Sequence, residues 1–256
     1  MFVVISAYQR SGTMAFGQAM GRAFGLPVLP ELFLDKRTRH DSFFSFWTQL
    51  IRSGKADCFP SYGEIHLTLR RYFDQLENVH GLNFITHVKA DQYAYVPYLE
   101  QHLRDLDTKF ICLYRNDNLA RLISCAVADA RVAGGFSAHD SERIQHALDR
   151  DITLDPDQFA RMIGRDTRNV RAFVELHRGA GDLVLRYEEL FESGSLDAEL
   201  QRIRTLYGFG EDRSIVDSDP TIVRSVQRPE GLFPKYKELV SQLETLGSEA
   251  RFVDTN

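Results

Sequence analysis

The stretch FVVISAYQRSGTMAFGQAMGRAF, residues 2–24, decides how the rest of the chain is read. FVVIS is rich in β-branched and aromatic residues, which suit a buried strand. Beyond the loop, Phe16, Met20 and Phe24 recur four apart, the spacing of one helix face. Strand, tight loop and helix is therefore the local reading. In that arrangement the amides of Ser11 to Thr13 and the positive end of the helix dipole converge on one point, which suits an anion. Arg10 adds a fixed charge with a planar fork of donors, and the hydroxyls of Ser11 and Thr13 add short, adjustable ones. Phosphate or sulfate is the guest such a loop would take. The same residues also make an ordinary capped helix, because Ser and Thr are common N-caps and Gly is a common turn residue. The loop holds no Lys and lacks the Walker A spacing, so ATP or GTP hydrolysis is poorly supported.

The chain of 256 residues suits one large α/β domain. Its net charge of −5, with the two signs interspersed, argues against an extended nucleic-acid surface. Cys58, Cys112 and Cys125 are scattered, without CxxC spacing or a His cluster in the sequence. Reduced thiols in a cytoplasmic protein are the simplest expectation. The first strand starts almost at Met1, leaving no room for a signal peptide, and no apolar stretch is long enough for stable membrane insertion.

Further along, strand-like and helix-like segments alternate. DSFFSFWTQLIRSG reads as a helix capped by Asp41 and ended by Gly54, and Ser61 with Glu64 forms a capping box for the next. NFITHV, KFICLY and DLVLRY read as strands, helices are expected over 117–132 and 156–177, and Asp155 is the expected cap of the second. This alternation gives a parallel sheet with helices on both faces and ligands at the carboxyl ends of the strands. Phe43, Phe44 and Trp47 share a helix face, a stripe that reads first as core and second as a substrate wall. Residues leaving later strands should then meet the first loop. After KFICLY come Arg115, Asn116 and Asp117, with Ser124 about two helical turns beyond Asp117, on a face able to look back. Arg115 and Ser124 could grip a second phosphate; the bland alternative is a helix cap and a surface Arg.

Taken together, Arg-Ser-Gly-Thr after the first strand, Arg115-Asn116 with Ser124 after a later one, and the strand running into Tyr187-Glu188-Glu189-Leu190 resemble the PAPS-dependent sulfotransferases. The likeness is nearest the bacterial carbohydrate branch, which includes trehalose sulfotransferase. It implies a P-loop-like three-layer fold in a single domain over 1–256, with helical insertions at 35–80 and 134–180 as the acceptor region. It further implies that Arg10, Ser11, Gly12 and Thr13 bind the 5′-phosphosulfate of 3′-phosphoadenosine-5′-phosphosulfate (PAPS), and that Arg115 and Ser124 bind its 3′-phosphate. By position, Gln227 and Arg228 in SVQRPEGLFPKY would touch the nucleotide. Gln9 departs from the family, which usually has Pro there, and Arg10 replaces the Lys of many members.

Sulfuryl transfer needs in-line geometry, a stabilised leaving group and a base for the acceptor hydroxyl. Arg10 and the loop amides suit the leaving group. Two residues compete as base under the resemblance: Glu31 in LPELFLD, and His87 at the end of NFITHV. Lys89 resembles a Lys of the carbohydrate branch, which implies a place near the sulfate or the acceptor. Tyr187 and Glu188 read as structural. No metal is implied, because the positive charge comes from arginines and helix ends. The expectation is an enzyme moving sulfuryl from PAPS to a hydroxyl of a carbohydrate, glycolipid or other small alcohol. A non-catalytic protein binding 3′,5′-bisphosphate nucleotides is the alternative, a P-loop kinase the third, and a homodimer is one assembly the sequence allows.

Overall fold

The computed structural model describes residues 2–29, 31–34, 42–58, 60–81, 83–96, 98–106, 108–122, 124–125, 156–209, 241 and 251–254. Five strands, β1 (Phe2–Ala7), β2 (Val28–Leu29), β3 (Phe84–Lys89), β4 (Lys109–Tyr114) and β5 (Leu183–Arg186), form one sheet in the order β2-β3-β1-β4-β5. Every pairing is parallel. The expected α/β architecture with a central parallel sheet is thus present. β1 lies in the middle, and its last residue, Ala7, stands opposite Lys89 of β3 and Leu113 of β4. The loops leaving β1, β3 and β4 therefore emerge side by side, in the crevice where open parallel sheets bind ligands.

Helices surround the sheet, among them α1 (Thr13–Phe24), α2 (Phe43–Arg52), α3 (Tyr62–His80), α4 (Gln92–Tyr95), α5 (Leu99–Asp105), α6 (Pro156–Gly179), α7 (Tyr187–Phe191) and α8 (Leu196–Tyr207); residues 118–122 and 124–125 are helical as well. A strand's side chains alternate between faces, and β1 divides accordingly. Phe2 and Val4 join a cluster with Phe43 of α2, Leu69 and Phe73 of α3, and Leu103 of α5. Val3, Ile5 and Ala7 join Phe16 and Met20 of α1 and Leu200 and Ile203 of α8. Each such fully buried large side chain contributes about 1.5–3 kcal/mol relative to exposure. The helices from the segments expected as insertions are core-forming. Val170 and Val174 of α6 pack on Cys112 and Tyr114, and Phe43 is buried against Phe33, Tyr72 and Trp47. Of the aromatic stripe, Phe43 is core, and Phe44 and Trp47 are partly buried and pack against that core.

Local signals set the ends of these elements. The Ser61–Glu64 capping box forms as expected. α2 is capped one residue later than expected, by Ser42, whose hydroxyl accepts from the Ser45 amide at 3.2 Å; Asp41 lies outside the described residues. So do Asp155 and residues 126–132. β2 was not expected, and the strand ending in DLVLRY stops at Arg186, where Tyr187 begins α7. Among the described residues no helix is long and apolar enough to cross a membrane.

Candidate anion cradle at the carboxyl edge of the sheet

The chain turns sharply after β1 because two residues adopt left-handed backbone, Arg10 at φ 64° and Gly12 at φ 80°. Gly12 is required twice over. Its φ disfavours a side chain, and a Cβ there would stand 2.7 Å from the Tyr187 ring. Five residues on, a Cβ at Gly17 would fall 2.2 Å from Nε2 of His87, so α1 lies against β3 only because position 17 is glycine. The hydroxyl of Ser11 is buried and has no hydrogen-bond partner among the described residues. Thr13 Oγ1 accepts from Lys89 Nζ.

Lys89 is the last residue of β3 and 7% exposed. Burial pushes its ammonium down to about 8. The charges of Glu31 and Asp91 work against that shift, and the charge of Arg10 adds to it. Arg10, Thr13, Glu31 and Lys89 therefore share one electrostatic neighbourhood.

The second element meets the first directly. Arg10 Nε donates to Ser124 Oγ at 3.1 Å, across 114 residues of sequence. Arg115, at the end of β4, lays its guanidinium 4.8 Å from the centroid of Tyr187, the same ring that covers Gly12. Its Nε, buried and without a hydrogen-bond partner among the described residues, stands 4.0 Å from the Glu188 carboxylate, near enough for charge and too far for a hydrogen bond. That carboxylate accepts from the amides of Asn116 at 3.0 Å and Asp117 at 3.1 Å. Residues 251–254 clip back onto this turn: Asp117 pairs with Arg251, and Asp254 accepts from Tyr114 at 2.8 Å and Arg186 at 2.6 Å.

Arg121 was not anticipated. It is buried, donates to Asn118 Oδ1 at 2.7 Å and to the Gln9 carbonyl at 3.2 Å, and pairs with Asp166 of α6. Asn118 in turn donates to Asp166 at 2.9 Å and to Thr167 at 2.8 Å. This network ties the first loop to α6. The spacing Asn118, Arg121, Ser124 puts all three on one helix face, and that was the available signal. Glu188 reads as structural, and its carboxylate holds the turn after β4 through the Asn116 and Asp117 amides while standing beside Arg115.

Of the two rival bases, only one stands at this edge. Glu31 is half-buried in a turn at φ 55°, close enough for its charge to act on Lys89. Arg10 and Glu31 are two of only three non-glycine residues with positive φ among those described, and such backbone strain concentrates at functional sites. His87 is placed differently from expectation. β3 continues through Lys89, so His87 and Lys89 face α1 together, Lys89 reaching its first turn and His87 lying beneath Gly17. The imidazole is fully buried, neither nitrogen has a partner among the described residues, and burial pushes its pKa down to about 3. Walled off between helix and sheet, it is a packed neutral side chain. Gln227 and Arg228 lie outside the described residues.

Among solved structures, the chain is similar to the sulfotransferase domain from the curacin biosynthetic pathway, at 12% identity over 98% of this chain and 97% of that one, with a TM-score of 0.46. It is also similar to a sugar kinase from Janibacter sp. HTCC2649, at 12% identity over 82% of this chain and 95% of that one, with a TM-score of 0.34. No protein-family model and no curated protein matches the chain.

Proposed function

We propose that the protein is a PAPS-dependent sulfotransferase acting on a hydroxyl of a carbohydrate, glycolipid or other small alcohol. The observation that carries this reading is the 3.1 Å hydrogen bond from Arg10 to Ser124, which joins the two anion-binding elements at one sheet edge. Each element alone is an ordinary capped turn; joined, they suit a ligand with two separate anionic groups, as a 3′,5′-bisphosphate nucleotide has. In this reading the amides and hydroxyls of Ser11 to Thr13, with Gly12 allowing close approach, bind the 5′-phosphosulfate, and Arg115 and Ser124 bind the 3′-phosphate. The unpartnered Ser11 hydroxyl and Arg115 Nε supply buried donors that a phosphate oxygen would satisfy.

Transfer then follows from charge and placement. The acceptor oxygen attacks sulfur in line with the bridging oxygen; the bond from sulfur to that oxygen breaks, and the 3′,5′-bisphosphate leaves. Arg10 and Lys89 stabilise the negative charge that grows on the leaving oxygen and on the sulfuryl group. Glu31 takes the acceptor's proton, its strained turn holding the carboxylate beside Lys89.

Thermal unfolding with adenosine 3′,5′-bisphosphate against ADP, with and without Mg²⁺, tests the donor site. At a hundredfold excess over its dissociation constant, the bisphosphate should add about 2.7 kcal/mol and raise the midpoint by roughly 5 °C, without metal. The rise should vanish in Arg115→Ala and Ser124→Ala. An equal response to ADP, or a response requiring Mg²⁺, would move the reading to a kinase. Bisphosphate binding with no transfer from PAPS to any of a broad panel of sugars and alcohols would favour a non-catalytic binding protein.

A further inference from the structure

Away from the sheet edge, helices α3 and α5 feed one core cluster, through Ile65 and Leu69 on one and Leu99 and Leu103 on the other. The residues next to two of these anchors are histidines, and they meet at the helix seam. Nδ1 of His66 lies 2.5 Å from Nδ1 of His102, with ring centroids 4.6 Å apart. Asp105 stands three residues after His102, one turn along the same helix face, and the ligand atoms of all three side chains lie within 4.8 Å of one another. We propose that Nδ1 of His66, Nδ1 of His102 and the carboxylate of Asp105 form a binding site for a divalent transition metal ion of the zinc class.

The chemistry of the donors selects that class. Two imidazole nitrogens with one carboxylate suit Zn²⁺ and its neighbours, whereas Mg²⁺ and Ca²⁺ prefer oxygen sets. With Zn–N near 2.0–2.1 Å, tetrahedral ligand atoms stand roughly 3.3 Å apart. The two nitrogens need to open by less than about 1 Å and the carboxylate to close by up to about 1.5 Å, both within side-chain rotation. The core fixes both helix backbones, and the Tyr62 ring, 5.0 Å from that of His102, braces the more buried imidazole. Without metal, two nitrogens this close share one proton between them. On binding, that proton moves from Nδ1 to Nε2 of the same ring, and of the two rings His66 is the more exposed. Three protein ligands leave a fourth position for water.

The site is separate from the anion cradle and stands or falls apart from the donor reading. Chelator-stripped protein titrated calorimetrically with Zn²⁺, and spectroscopically with Co²⁺, tests it. We expect one ion per chain, Co²⁺ absorption of tetrahedral type, and affinity at least about tenfold weaker in both His66→Gln and Asp105→Asn, which change a half-buried and an exposed position and spare the buried His102. Circular dichroism confirms that the variants are folded. Absence of Zn²⁺ binding at millimolar ion, or binding that His66→Gln and Asp105→Asn leave unchanged, would overturn the proposal.

Discussion

Replacing Lys89 with Met should make the protein more stable at neutral pH while disabling the cradle. The ammonium is almost fully buried, and its pKa falls from 10.5 to about 8, with burial the largest cause. A folded pKa below the unfolded one means that the folded chain binds the proton more weakly. The cost is fully present below pH 8, fades between about pH 8 and 10.5, and is gone above. At pH 7 the difference of about 2.5 units corresponds to about 3 kcal/mol. Losing the bond to Thr13 offsets about 1–2 kcal/mol of this, so Lys89→Met should gain about 1–2 kcal/mol. Between pH 7 and pH 10 that advantage should shrink by about 2.5 kcal/mol, because the wild type recovers as its lysine loses the proton. Urea unfolding followed by the fluorescence of Trp47, the only tryptophan, at both pH values measures the difference directly. Binding of adenosine 3′,5′-bisphosphate should be lost in the same variant. A stability difference that stays constant from pH 7 to pH 10 would refute the assignment of Lys89 as a charge held in the core for function.

Two further outcomes concern the seam between α1 and β3. Gly17→Ala should gain up to about 1 kcal/mol in helix propensity and lose about 1–3 kcal/mol to the clash with His87, and His87→Ala should relieve that clash. Denaturant melts of the four-variant cycle should therefore show favourable coupling above about 0.5 kcal/mol, and additive effects would show that the helix simply shifts. Secondly, because the His87 pKa lies near 3 when folded, stability should fall by about 1.4 kcal/mol on acidification from pH 7.5 to 5.5 as the unfolded imidazole takes its proton. His87→Asn should lack that component.

The first loop was legible because its sequence signals are local: a β-branched run, a glycine at the turn and apolar residues four apart. Arg115 and Ser124 were legible once the parallel sheet was assumed, since that topology alone sends the β4 loop beside the β1 loop. β2 was not, because a two-residue edge strand carries no period and exists only through its pairing with β3. Nor was the burial of His87. Alternation puts it on the α1 side, but only the glycine at position 17 says how close that helix comes. The carboxylate of Glu188 reaches amides more than seventy residues away in sequence, and His66 meets His102 across 36 residues, separations at which no spacing rule speaks.

The carboxylate beside Arg115 bears on how the cradle behaves with nothing in it. Cations gathered to receive an anion repel one another, and an empty site built from them alone would spread or collapse until its ligand came. Here Glu188 supplies a resident negative charge, Tyr187 supplies a π-face beneath the guanidinium, and both sit on one short helix that also covers Gly12. If the cradle takes an anion as proposed, that repulsion is balanced in advance, and the ordering of Arg115 belongs to folding instead of to binding. On the proposed function, the shape offered to an incoming anion is thus one the chain already holds by itself.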